Sequence, residues 1–171
     1  MEALAAAIVQ ESDNSAANLL LRRVGGPAAL TRFIRSCGDA ETRVDRYELA
    51  LNSNVAGDPR DTTTPLAMAE FTRTVLLGRV LTPTAVRKLT DWLVTSVRKA
   101  DRLATGFPAG WKVGHKPGTG RNGAVNDVAI VWQPRRPPII VASFVSGGTA
   151  GPATRAAAHR SVAAIVAKTF A

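Results

Sequence analysis

The sequence has little cysteine, histidine, aromatic side chain or acidic charge, and each shortage narrows what the protein can be. One Cys and two His stand among 171 residues. A single Cys excludes an internal disulfide framework and any Cys-based zinc site, and two His leave little for a histidine cluster. No apolar run approaches the roughly 18 residues that a membrane span requires. No Lys or Arg precedes Arg22, and the second residue is Glu2. The apolar stretch Met1–Gln10 therefore lacks the positive start of a secretory signal and reads as an amphipathic helix. Taken alone, that implies a cytosolic product with no signal peptide.

Hydrophobic residues make up 46% and charged residues 20%, ordinary globular usage that excludes disordered, collagenous and coiled-coil chains. At roughly 150 residues per domain the length suits one domain. The 22 Lys and Arg outnumber the 13 Asp and Glu, for a net charge of +9. Such a balance would suit a nucleic-acid or acidic-surface binder. Against it, aromatics are only 5%, and Arg22-Arg23, Arg98-Lys99 and Arg135-Arg136 are dispersed pairs. The basic charge reads as a solvated surface, with no nucleic-acid partner.

Helical spacing runs through residues 3–10, and Ser12-Asp13-Asn14 breaks it with three residues that favour caps. Residues 15–24 resume a helix, which Gly25-Gly26 ends. Pro27 opens the next at a first-turn position, and it runs to about Cys37. Residues 39–64 have no period, and a loop of that length in a compact domain is usually functional. Thr64-Pro65 and Thr82-Pro83 each start a further helix. After about residue 105 the style changes. Trp111–His115 reads as a short strand, followed by a Gly-rich turn. Val125–Gln133 and Ile139–Ser146 are β-rich runs, and Pro152–Phe170 is a closing helix. Helices, then about three antiparallel strands, then a helix make the class α+β. The chain divides at about 1–105 and 106–171, with the loop 39–64 inside the helical part.

Three clusters carry chemical potential. Ser12 sits at a helix junction, where its hydroxyl can shuttle a proton if a base is near; by itself the segment also reads as a cap. Glu48 and Asn52 lie in the long loop, four residues apart, where a carboxylate and an amide can hold a water between them. A solvated loop Glu is the plain alternative. Arg46 and Asp61 flank that segment and can pair across its base, since the guanidinium fork suits a carboxylate. Lys116-Pro117-Gly118-Thr119-Gly120 sets a fixed cation beside backbone that a ligand can approach closely. It lacks the spacing of a P-loop.

Each cluster is weak alone, but their order and spacing are specific. The chain resembles a class A serine β-lactamase from about residue 3 to its end. Ser12-Asp13-Asn14 is similar to the family's S-D-N. Arg46-x-Glu48-x-x-Leu51-Asn52 is similar to the part of its omega loop that bears the deacylation Glu, and Arg60-Asp61-Thr62-Thr63-Thr64-Pro65 to that loop's exit. Lys116-Pro117-Gly118 is similar to the K-[ST]-G of the third strand. Asn18-Leu-Leu-Leu21, Gly25-Gly-Pro27 and Pro108-Ala-Gly-Trp111 fit the same reading.

The resemblance implies a β-lactamase/transpeptidase-like fold and hydrolysis of a β-lactam through an acyl-enzyme, with no metal or cofactor. Ser12 would relay the proton to the β-lactam nitrogen, with Lys116 biasing that proton and attracting the substrate carboxylate. Asn14 would bind the substrate's side-chain amide. Glu48 with Asn52 would activate the hydrolytic water, and Arg46 with Asp61 would bridge the loop. Gly118 and Thr119 would line the substrate, the Thr119 N–H supplying an oxyanion donor. Arg155 would be a second cation for the carboxylate. The complete family protein would be a monomer, periplasmic or secreted.

Two departures stand out. Pro117 replaces the Thr or Ser of the third-strand motif and offers neither hydroxyl nor N–H. The second is the nucleophile, which the family carries in an S-x-x-K motif upstream of S-D-N. None of the eleven residues before Ser12 is Ser or Lys. Ser96-Val97-Arg98-Lys99 matches that pattern in the wrong place and reads as a basic helix end, while His115 reads as a satisfied strand residue. The resemblance thus leaves out two N-terminal strands and the buried helix bearing the nucleophile. The expectation is a chain that is inactive alone, the missing export signal having the same origin. A non-catalytic binder of β-lactams or cell-wall peptides through Lys116 and Asn14 is the alternative.

Overall fold

The computed structural model describes residues 1–96 and 101–170. Among them the chain order is α1 (Glu2–Glu11), α2 (Asn14–Arg23), α3 (Gly26–Ser36), α4 (Pro65–Leu77), α5 (Pro83–Val94), β1 (Lys112–Thr119), β2 (Val125–Trp132), β3 (Ile139–Val145) and α6 (Pro152–Phe170). Short 3-10 turns occupy Ala50–Asn52 and Leu103–Gly106. The long aperiodic segment is present as expected, irregular except for the first of these turns.

Local chemistry sets the helix ends. Ser12 closes α1 in the left-handed conformation (φ 55°), its N–H bonding back to the Ile8 carbonyl. The next residue opens α2, the Asp13 carboxylate accepting the Ala16 N–H at 2.9 Å. Thr64 and Thr82 cap α4 and α5 in the same way, each with Pro at a first-turn position where its missing N–H costs nothing. The cap reading of Ser12-Asp13-Asn14 therefore holds, and it leaves the Ser12 hydroxyl exposed at a rigid junction.

The three strands form one antiparallel sheet in the order β1-β2-β3. β1 and β2 pair from Lys112↔Trp132 to Thr119↔Val125, and β2 and β3 from Val125↔Val145 to Val131↔Ile139. On one face α6 and the Leu103–Gly106 turn cover Val113, Ala129, Val131 and Val141. Leu103, Val131 and Ala163 are wholly buried there. Each large aliphatic side chain removed from water contributes about 1.5–3 kcal/mol. The Ala-rich face of α6 lets it lie close, and Gly106 makes room for the turn, since a Cβ there would sit 2.4 Å from the Arg160 carbonyl oxygen and 2.6 Å from Ala163 Cβ.

The strand at Trp111–His115 needs correcting. Trp111 precedes β1 and stacks on Phe107, with ring centroids 5.9 Å apart, whereas β1 continues through Lys116-Pro117-Gly118 to Thr119. The Gly120 N–H donates to the Ala124 carbonyl at 3.0 Å, which fixes the phase of the ladder. Even-numbered β1 residues exchange hydrogen bonds with β2, and the odd-numbered ones direct their backbone to the outer edge. Pro117 therefore gives up no bond of this ladder, which is why the strand passes through it.

On the other face α1, α4 and α5 meet the sheet around an apolar cavity of about 630 Å³, whose walls include Ile8, Phe71, Val75, Leu93 and Ile130. No helix among the described residues is long and apolar enough to cross a membrane.

Gly106→Ala should lower stability by about 1–3 kcal/mol, as over-packing does, measured as a fall in the urea midpoint at constant m-value. Gly110→Ala, where a Cβ meets nothing within 4 Å, should leave the midpoint within error.

Candidate active site

Ser12, Asn14, Glu48, Asn52, Lys116, Gly118 and Thr119 line one cavity of about 390 Å³. Three elements supply them. The α1–α2 junction brings Ser12 and Asn14, the long loop brings Glu48 and Asn52, and the end of β1 brings the other three. Residues more than a hundred positions apart thus face one space.

Lys116 connects two walls. Its Nζ donates to Ser12 Oγ and, at 3.1 Å, to the Pro117 carbonyl. An ammonium donating to a hydroxyl oxygen turns that hydroxyl's own proton away from the lysine and makes it easier to give up. The Thr119 backbone, by the phase of the ladder, points to the outer edge of β1, on the cavity side.

Glu48 is held from both ends. Asn18 clamps its backbone, its Oδ1 accepting the Glu48 N–H and its Nδ2 donating to the Glu48 carbonyl, both at 2.9 Å. Its carboxylate accepts from Asn52 Nδ2 at 2.5 Å. Half-burial pushes the Glu48 carboxyl above its ordinary value. The Asn52 hydrogen bond pulls it back, nearby Asp61 adds to the rise, and the Lys116 charge opposes it. The result is a carboxylate more basic than a solvated one, at bonding distance from an amide.

The loop is closed at its neck by Arg46 and Asp61. Arg46 Nε donates to Asp61 Oδ2 at 2.6 Å, while Asp61 Oδ1 accepts the N–H groups of Asp45 and Arg46 at 2.6 and 3.0 Å. Asp45 returns the contact by accepting the Asp61 N–H at 2.9 Å. Arg46 also reaches Ser53 Oγ at 2.9 Å. Asp58, bonded to the Arg60 guanidinium and N–H, has its carboxyl held well below the usual carboxylate range.

Arg155 is not at this cavity. It is buried, and its guanidinium donates to the carbonyls of Ala150 and Gly123, each at 2.8 Å, and to those of Gly147 and Gly148. Those bonds staple the β1–β2 turn to the segment after β3, so the expectation of a second cation for substrate is corrected to a structural role. Ser96 is buried beyond α5 and does not line the cavity, and Val97, Arg98 and Lys99 lie outside the described residues. His115 is buried with Nδ1 3.2 Å from both Asp127 carboxylate oxygens, a satisfied strand residue.

Two residues escape the sequence reading. Asn18 was visible only as part of a flanking stretch. Arg102 is 2% exposed and donates to the carbonyls of Gly118 and Asn126 at 2.6 Å and to Thr119 Oγ1 at 2.7 Å. It braces the end of β1 from beneath. A lone Arg in an irregular segment carries no signal of this, because its partners are 16 and 24 positions away. Among the described residues no group of three or more His, Cys, Asp or Glu is placed to hold a metal.

A model described as the Beta-lactamase enzyme family matches residues 1–170. The chain is 47% identical over 142 residues to the carbapenem-hydrolyzing beta-lactamase KPC of Klebsiella oxytoca, covering 82% of this chain and 48% of that protein. It is 42% identical over 165 residues to beta-lactamase CTX-M-8 of Citrobacter amalonaticus, covering 96% and 55%. An ancestral (GNCA) class A beta-lactamase structure superposes with a TM-score of 0.96 at 48% identity, covering 98% of this chain and 64% of that one. The putative class A beta-lactamase PenP from Rhodopseudomonas palustris gives 0.97 at 45%, covering 99% and 65%. The chain spans about half the length of these curated relatives.

The Glu48 carboxyl should titrate above the ordinary glutamate value when followed by carbon-13 NMR. Asn52→Leu and Lys116→Met each remove an influence that favours the ionised form, so each should raise it further. A Glu48 that titrates at or below the ordinary value would contradict this electrostatic account.

Proposed function

Because the chain belongs to the beta-lactamase enzyme family, we propose that its cavity hydrolyses β-lactams through an acyl-enzyme, with Glu48 as the general base of deacylation. The observation that carries the reading is the convergence of Ser12, Glu48, Asn52, Lys116 and Thr119 on one space.

In this reading a serine nucleophile attacks the lactam carbonyl and the C–N bond of the ring breaks. Ser12, with Lys116 donating to its oxygen, passes its proton to the departing nitrogen and takes up the nucleophile's proton in exchange. The Thr119 N–H stabilises the charge that builds on the carbonyl oxygen. Glu48 and Asn52 then hold a water, Glu48 takes its proton, the hydroxide formed displaces the serine ester, and Glu48 returns the proton to the departing serine oxygen. Lys116 also attracts the substrate carboxylate, and Asn14 meets the substrate's side-chain amide. The Lys116 ammonium is the cation in the cavity's lining that an anionic substrate would meet.

Among the described residues no serine besides Ser12 lines the cavity, which leaves the role of nucleophile open. By resemblance it belongs to an apolar helix with a Ser-x-x-Lys motif. The neighbouring apolar cavity of about 630 Å³, which also reaches Lys116, is the space such a helix would occupy. Export to the periplasm or beyond the cell, and a monomeric state, are part of the same proposal.

Residues 1–171 should bind a chromogenic cephalosporin without turning it over. Joined to a segment bearing Ser-x-x-Lys, they should hydrolyse it, and Glu48→Ala should then trap the acyl-enzyme, seen as a mass increase. Turnover by 1–171 alone would overturn the placement of the nucleophile. Binding with no turnover in the joined protein would instead favour a non-catalytic binder. Pro117→Thr restores a hydroxyl beside Lys116 and should tighten β-lactam binding roughly two- to tenfold, the worth of one net hydrogen bond.

A further inference from the structure

The long loop and the β1–β2 hairpin meet at a pair of asparagines that the proposed chemistry does not use. Asn54 Nδ2 donates to the carbonyls of Arg121 and Asn122, both at 3.2 Å. Asn122 Nδ2 donates to the carbonyls of Ser53 and Asn54, both at 3.0 Å. Each amide thus spans the other's backbone. Between them the Arg121 N–H donates to the Asn52 carbonyl at 2.8 Å.

The residue types are dictated by this geometry. Each side chain faces two carbonyl oxygens, so the contact needs a group with two donors, which the amide NH2 supplies; a carboxylate would be repelled. Both residues sit in the left-handed region, at φ 44° and 50°, which Asn tolerates better than other residues bearing a Cβ. The close approach depends on Gly120, where a Cβ would lie 3.0 Å from the Asn52 carbonyl oxygen. The Gly147 N–H also donates to the Asn122 carbonyl at 3.2 Å, which ties in the segment after β3.

The juxtaposition joins the two walls of the cavity. Asn54 is two residues from Asn52, and Asn122 is three from Thr119. We infer that Asn54 and Asn122 form a reciprocal amide latch that positions the Glu48–Asn52 wall against the Thr119 wall, making them positioning residues for the hydrolytic water. Neither side chain lines the cavity of Ser12 and Lys116; they act through backbone. Besides the latch, the Arg121 N–H holds the Asn52 carbonyl from the hairpin side and Arg46 holds Ser53 Oγ at 2.9 Å from the neck. Losing the latch therefore leaves the Arg121–Asn52 bond without the two amides that flank it.

The inference rests on the reading of Glu48 and Thr119 as walls of one catalytic site, but its test reads amide exchange and NMR shifts rather than turnover. Failure of that reading appears as absent hydrolysis, and failure of the latch as unchanged exchange. Asn54→Gly and Asn122→Gly keep the left-handed backbone accessible and remove the amide together with the Cβ, and Asn122→Asp keeps the Cβ and changes the donor alone. In each, hydrogen exchange at the Arg121 amide should quicken about tenfold, with exchange in β2 unchanged. The double variant should be little worse than either single, as expected for one coupled pair. The isosteric Asn122→Asp should lose at least as much protection as Asn122→Gly. The Asn52 side-chain NH2 resonance, set by its bond to the Glu48 carboxylate, should move toward that of a solvated amide in both glycine variants. Unchanged exchange at Arg121, additive losses, a uniform loss extending through β2, or an unmoved Asn52 resonance would each overturn the latch.

Discussion

The phase of the β1–β2 ladder decides most of what this site can do. With Gly120 bonded to Ala124, alternate residues of β1 are committed to opposite edges and opposite faces. Shifting the register by one residue would flip them all. Lys116 would leave Ser12, the Thr119 N–H would be spent on β2, and Pro117 would meet a carbonyl with no donor to offer. The ladder is pinned from below by polar groups that a slip would strand. Arg102 holds the carbonyls of Gly118 and Asn126 across the pair, and Asp127 accepts the Leu103 N–H at 3.1 Å. Breaking such buried, charge-assisted contacts costs far more than an exposed ion pair.

The long loop has no ladder and is held by side chains. Arg46 and Asp61 close its neck, Asn18 fixes the backbone of Glu48, and the Asn54–Asn122 exchange joins its far side to the hairpin. Each device satisfies backbone N–H or carbonyl groups that an irregular segment would otherwise leave to water. This is how an aperiodic segment can present a carboxylate and an amide at bonding distance. The position also sets the chemistry, because half-burial makes Glu48 a stronger base while Asn52 keeps its ionised form accessible.

Much of this was legible in the sequence, and the limits are physical. Helix starts were marked by Thr-Pro pairs and by Asp13. The site clusters were visible because each is compact: Ser12 to Asn14, Glu48 to Asn52, Lys116 to Thr119. Arg46 and Asp61 were visible as flanks of one loop. The end of β1 is not legible in the sequence, because Lys-Pro-Gly carries the local marks of a turn, and only the edge position of Pro117 lets a strand continue through it. The role of Arg155 is not legible in the sequence, because a cation near a site and a cation that binds four carbonyls look alike until the backbone is in place. Arg102 and the Asn54–Asn122 pair join segments distant in sequence, so nothing local reports them.

In the proposed function Ser12, Asn52, Lys116, Gly118 and Thr119 form one β-lactam-recognising surface. Mapping the backbone amide shifts of residues 1–171 during titration with a penicillin tests it most directly. The account predicts saturable shifts centred on Ser12, Asn52, Gly118 and Thr119, abolished by Lys116→Met. Shifts confined to the apolar cavity around Phe71 and Leu93, or shifts that survive Lys116→Met, would contradict it.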